Sequence, residues 1–182
     1  MNAAEHLEQH LGQMEQGWSS ASAPGLQVCL FRNQPAAGVN TLSTLGLSNL
    51  DLAMASGRSV RQELMITIPG DRSPDEFAKL MLHVAERLVR TGRALLRGDV
   101  VSLGSTIASD SSADALYASI PVVFPEALAT LRDTSPQTVF VWLVPLLPTE
   151  VAFVQASGWS DFEDRLEAAE PDLFDLRREA VV

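Results

Sequence analysis

Apolar positions are densest at residues 138–150, TVFVWLVPLLPTE, where Val139 to Val144 run without a polar break. β-Branched and aromatic residues dominate that run, so both of its faces call for apolar neighbours, and the pattern predicts a central strand. Pro145 and Pro148 are expected to end it, because proline has no N–H to give to a sheet ladder. A helix is predicted next, starting near Glu150 and closed by Gly158. Trp159 then reads as a lid on the core. At the other end of the chain the period changes. Leu7, Leu11, Met14 and Trp18 fall at i, i+4, i+7 and i+11, which predicts an amphipathic helix of about four turns. The SSASAPG stretch at residues 19–25 breaks the pattern as a loop.

Residues 26–32, LQVCLFR, and 39–48, VNTLSTLGLS, are rich in strand formers and predict a hairpin. After a loop-like DLAMASGRS comes a third strand at residues 62–69. Its Leu64, Ile66 and Ile68 alternate with Glu63, Met65 and Thr67. Ser73, Pro74 and Glu76 carry the pattern of an N-cap, a first helical position and a reciprocal cap, so a helix is predicted to start there. Phe77, Leu80, Met81, Val84 and Leu88 form its buried stripe, with His83 at the stripe's edge. The arginines around residues 90–97 suit a solvent-facing helix end. Beyond it are a short strand at 100–103, a polar loop at 105–114 expected to bury almost nothing, and a strand at 116–124 interrupted by Pro121. A helical turn follows at 125–132. Ser160 and Glu163 predict a second capping box, with Phe162, Leu166 and Ala169 inward and Asp161, Asp164 and Glu167 outward.

Composition narrows the class. The chain has 182 residues, 46% hydrophobic and 20% charged, an ordinary globular balance that needs no disulfide or metal to bury a core. One domain is expected over 1–182, with an N-terminal helix and loop at 1–24 and a core at 26–178. Net charge is −10, which repels phosphate backbones and argues against a nucleic-acid partner. That charge sits at the ends: residues 1–24 carry −3, residues 150–182 carry −6, and the stretch between them only −1. The apolar run around Trp142 is about half of a membrane span. With no signal-peptide pattern, a cytoplasmic protein without a membrane partner is expected.

Candidate chemistry is sparse. Cys29 lies mid-strand as a core filler, with no cationic cluster beside it in sequence to lower its pKa. His6 and His10 are four apart, but a metal site needs three or four ligands, and the pair reads as solvated. A carboxylate hydrolase would use Glu63 with Asp51 or Glu150, provided burial or proximity splits their pKa values. The motifs GxSxG, GxxxxGK[ST], HExxH and CxxC are absent, and neither catalysis nor a cofactor is expected.

The segments TLGLS at 44–48, ELMITIP at 63–69, GDVV at 98–101 and VFVWLVPLLPTEVAFVQASG at 139–158, taken in order, resemble the Suppressor of fused family. The resemblance spans roughly residues 26–178. It implies an α+β domain with a central mixed sheet flanked by helices, and a protein that binds another protein. Animal members are negative regulators of Hedgehog signalling with a second domain, and this chain ends where their first domain would end. Small single-domain bacterial relatives are the better match, and some are proposed to be immunity proteins that neutralise a toxin. A single lysine beside 12 arginines also fits a bacterial GC-rich coding sequence. The expected partner is a basic toxin domain, met by Asp161, Asp164, Glu167 and Glu170 on the last helix. A self-associating adaptor, using Met54, Trp159 or an unpaired sheet edge, is the alternative, and the oligomeric state stays open.

Overall fold

The computed structural model describes residues 1–182 as four α-helices and nine strands. In chain order these are α1 (Ala3–Leu11), β1 (Gln16–Ser19), β2 (Gln27–Phe31), β3 (Val39–Leu45), β4 (Leu52–Ala53), β5 (Ser59–Pro69), α2 (Pro74–Thr91), β6 (Val100–Ser102), β7 (Ala115–Ser119), β8 (Thr130–Leu131), β9 (Thr138–Leu146), α3 (Pro148–Ser157) and α4 (Trp159–Ala169). The chain is α+β with a mixed sheet. It divides into two units, residues 1–94 with 120–142, and residues 95–119 with 143–182.

In the first unit the hydrogen-bonded order is β1-β2-β3-β5-β9, with β4 on β5 and β8 on β9. β2 and β3 form the predicted antiparallel hairpin, and β3 pairs antiparallel with β5. β5 and β9 run parallel, with residues 61–65 against 138–142, which makes the sheet mixed. α2 lays Phe77, Ala78, Met81, Val84, Ala85 and Leu88 against β2, β3 and β5. Residues 62–68 of β5 are all buried, so both of its faces are covered and its polar residues must find partners inside. Trp142 is 1% exposed and donates its indole N–H to Thr67 Oγ1 at 3.3 Å.

In the second unit β6 and β7 are antiparallel, and the order is β9-β7-β6, with residues 143–146 of β9 belonging here. α3 packs on α4. Phe162 is fully buried and meets the Tyr117 ring edge-on at 5.3 Å. The closing segment after residue 170 has no helix or strand, yet buries Leu176.

Several local expectations are corrected. α1 stops at Leu11, because Gly12 takes a positive φ of 82°, and Trp18 lies on the unpredicted β1. β9 continues through Pro145, whose carbonyl instead accepts Arg178 Nη2 at 3.0 Å. The strand expected at 116–124 ends at Ser119. Ser73 makes no side-chain cap, its hydroxyl turning to Asp75 Oδ2. The second capping box does not form: Gly158 is the N-cap of α4, and Ala169 is exposed. The polar loop at 105–114 buries Ser111 and Ala113, with the Ser111 hydroxyl donating to the Leu176 carbonyl.

Candidate partner-binding surface

α4 begins directly after Gly158, which also closes α3. Phe162 turns inward, and Asp161, Asp164, Glu167 and the C-capping Glu170 are all exposed. Glu163, between them, behaves differently. Its side chain is 18% exposed; it accepts both Arg97 Nη2 and Arg97 Nε, the latter at 3.0 Å, and the Tyr117 hydroxyl at 2.8 Å. The bond to Glu163 holds the Arg97 guanidinium above its usual pKa. Burial, and then the same carboxylate, push the Tyr117 phenol up.

Arg97 in turn lies over the Trp159 ring, 4.8 Å from its centroid. Gly98, at φ +94°, brings backbone so close that a Cβ there would stand 2.5 Å from the Trp159 ring carbon Cγ. Only glycine fits. Trp159 is pinned, yet it is 41% exposed, so it is not the core lid that its place after Gly158 implied.

The carboxylates considered for catalysis are each tied elsewhere. Glu63 is fully buried and accepts Thr44 Oγ1 at 2.6 Å, Ser48 Oγ at 2.6 Å, and the amides of Gly46 at 2.9 Å and Ser48 at 3.0 Å. Burial raises its pKa, against the opposing pull of those four hydrogen bonds. The cluster fastens the TLGLS segment to β5. Asp51 pairs with Arg61 at 2.7 Å on the surface of the same unit. Glu150, in the second unit, accepts a two-pronged Arg178 at 2.6 and 2.7 Å.

His6 is not solvated as expected. It is 5% exposed, its Nε2 lies 3.1 Å from the Leu128 carbonyl, and its ring stacks on Phe140 at 5.1 Å. A carbonyl only accepts, so that nitrogen carries the proton. His10 meets His6 edge-on at 4.8 Å, and burial followed by the His6 charge lowers its pKa. Both line a cleft of about 530 Å³ beside Arg132 and Asp133. No group of three His, Cys, Asp or Glu side chains sits where it could hold a metal ion. Cys29 is buried, and its thiol is pushed up to about 11 by burial, with Glu63 and Glu8 adding to the effect. No helix is long and apolar enough to cross a membrane.

Sequence reasoning missed Arg97, Tyr117 and Arg178. Nothing local marks the last two, because their partners lie 46 and 28 residues away along the chain. Trp159 was visible, since a tryptophan right after a helix-closing glycine, with acids four and eight residues on, fits an exposed aromatic as well as a buried one.

Residues 22–179 match the family described as Suppressor of fused protein (SUFU). The chain is 22% identical over 168 residues to Immunity protein YqcF of Bacillus subtilis (strain 168), covering 91% of this chain and 86% of that protein. Among solved structures, it is similar to a SUFU homologue from Neisseria gonorrhoeae FA 1090, with a TM-score of 0.82 at 18% identity over 99% of this chain and 94% of that one. It is also similar to the chain of the Sufu–Fu complex, with a TM-score of 0.72 at 14% identity over 98% of this chain and 90% of that one. The family match runs from the loop before β2 to the closing segment, and the chain belongs to the Suppressor of fused family.

Proposed function

We propose that this chain is a non-catalytic protein-binding module, an immunity protein that neutralises a partner toxin by direct binding. The observation that carries the reading is its likeness, over 91% of its length, to a protein named as an immunity protein. A similar solved chain comes from a complex with another protein, which supports binding as the mode of action. We take residues 1–182 as one Suppressor-of-fused-like domain that meets its partner in the cytoplasm.

Asp161, Asp164, Glu167 and Glu170 are the contacts we assign to that partner. All four are exposed, whereas Glu63 and Glu150 spend their acceptors inside the fold. A net charge of −10 suits a basic target such as a nuclease, because opposite fields raise the encounter rate and an acidic face can cover a phosphate-binding cleft.

The test is co-expression with the product of the neighbouring gene. The two proteins should co-purify, the chain should protect cells from that product, and the association rate should fall from low to high salt. An association rate indifferent to salt removes the electrostatic part. Absence of both complex and protection removes the immunity reading.

A further inference from the structure

The acidity of α4 is not evenly spread. At about 3.6 residues per turn, Trp159, Glu163 and Glu167 fall at i, i+4 and i+8, and the exposed C-cap Glu170 follows the last turn of the helix. Asp161 and Arg165, four apart, share the other side, where Arg165 also reaches over the Phe153 ring at 5.9 Å. That side thus carries one arginine beside Asp161 and the exposed Asp164. Along the Trp159 edge, Arg97 is taken up by Glu163, which leaves Glu167 and Glu170 facing solvent.

Trp159 is exposed without being loose. Arg97 covers its ring, Glu163 and Tyr117 hold the network behind it, and Gly98 leaves no room for the ring to retreat. An aromatic group fixed before a partner arrives loses little entropy on binding, which is why rigid tryptophans serve as interface anchors.

We propose that Trp159 is the anchor of the partner-binding surface, and that Trp159, Glu167 and Glu170 receive an arginine-bearing segment of a basic protein. The inference rests on the acidic face of α4 being the one turned to the partner. The chain's own Arg97 displays the geometry: a guanidinium over this indole, forked onto the carboxylate one turn along. Glu167 repeats that carboxylate one turn further out. Arginine fits better than lysine, since a planar guanidinium can stack and fork at once whereas an ammonium offers a point charge.

The experiment titrates the full chain with deca-arginine and deca-lysine by calorimetry at low salt, with circular dichroism confirming that each variant is folded. Deca-arginine should bind several-fold tighter than deca-lysine. Trp159→Ala should weaken deca-arginine by about tenfold and erase the preference, while Glu76→Gln, an exposed acid on α2, leaves it in place. Gly98→Ala, which keeps the indole but displaces it, should also reduce the preference. If the two peptides bind alike and only Glu167→Gln with Glu170→Gln weakens them, the anchor is overturned and the acidic face stands. If neither peptide binds, both are overturned. A dimer seen by light scattering and dissolved by Trp159→Ala would assign the edge to a second copy of the chain and overturn the proposal.

Discussion

Arg178→Ala removes one half of a buried ion pair and strands the other. Glu150 is fully buried and the Arg178 side chain is 6% exposed. The carboxylate accepts Arg178 Nη1 and Nη2 at 2.6 and 2.7 Å, and the amides of Leu147 and Val181 at 3.1 Å each. With the guanidinium gone, two amides remain for a full negative charge out of water, and the Pro145 carbonyl loses its donor. Breaking a buried pair from one side costs about 3–5 kcal/mol, a large share of the roughly 5–15 kcal/mol that holds a domain together. At roughly 2–4 °C per kcal/mol for a chain of this length, Tm should fall by about 6–20 °C.

Urea unfolding followed by tryptophan fluorescence and by far-UV circular dichroism measures the loss, with two probes because the chain has two units. Arg178→Lys should recover only part of the stability, because an ammonium cannot reproduce the fork. The double variant Glu150→Gln/Arg178→Ala should be more stable than Arg178→Ala alone, since no unpaired charge remains. A loss below about 1 kcal/mol, the range of an exposed pair, would refute the reasoning.

Glu63 sets a pH signature. Its carboxyl is raised from 4.5, so the native chain keeps a proton that the unfolded chain has released. That contribution is fully present below pH 4.5 and is lost as pH rises through the folded-state pKa. The stability difference between wild type and Glu63→Gln should therefore move in favour of the variant as pH climbs from 4.5, and urea midpoints that keep a constant gap would contradict this. Cys29, with its thiol pushed up to about 11, should react slowly with a thiol reagent at pH near neutrality in the native state and rapidly in urea. Equal rates would mean that the strand opens readily. Trp142→Ala should cost about 3–5 kcal/mol in urea unfolding, and a cost near zero would place the ring outside the core.

The runs that were legible in the sequence share one property: their signal is local and periodic. The unbroken 139–144 run announced β9, the spacing of Phe77, Met81, Val84 and Leu88 announced α2, and strand formers on either side of Asn33 announced the β2–β3 hairpin. Boundaries were less legible. Four apolar residues at helical spacing pointed through Gly12 to Trp18, but a glycine with positive φ cost less than continuing the helix, and β1 paired with β2 instead. Ser160 and Glu163 had the right spacing for a cap, yet Arg97 and Tyr117 offered that carboxylate charged and phenolic donors that a backbone amide could not match.

By itself, the sequence determined the α+β class, the central strand, the family resemblance and the acidic ends, because each is written in neighbouring residues or in composition. Only the tertiary structure decided which carboxylates are spent and which are free. Glu63, Glu150 and Glu163 look no different in the chain from Glu167 and Glu170. The first three meet side-chain donors brought from 15 to 66 residues away, whereas the last two stay in water. Burial and pairing are properties of distance in space, and folding sets that distance with no mark left beside the residue itself.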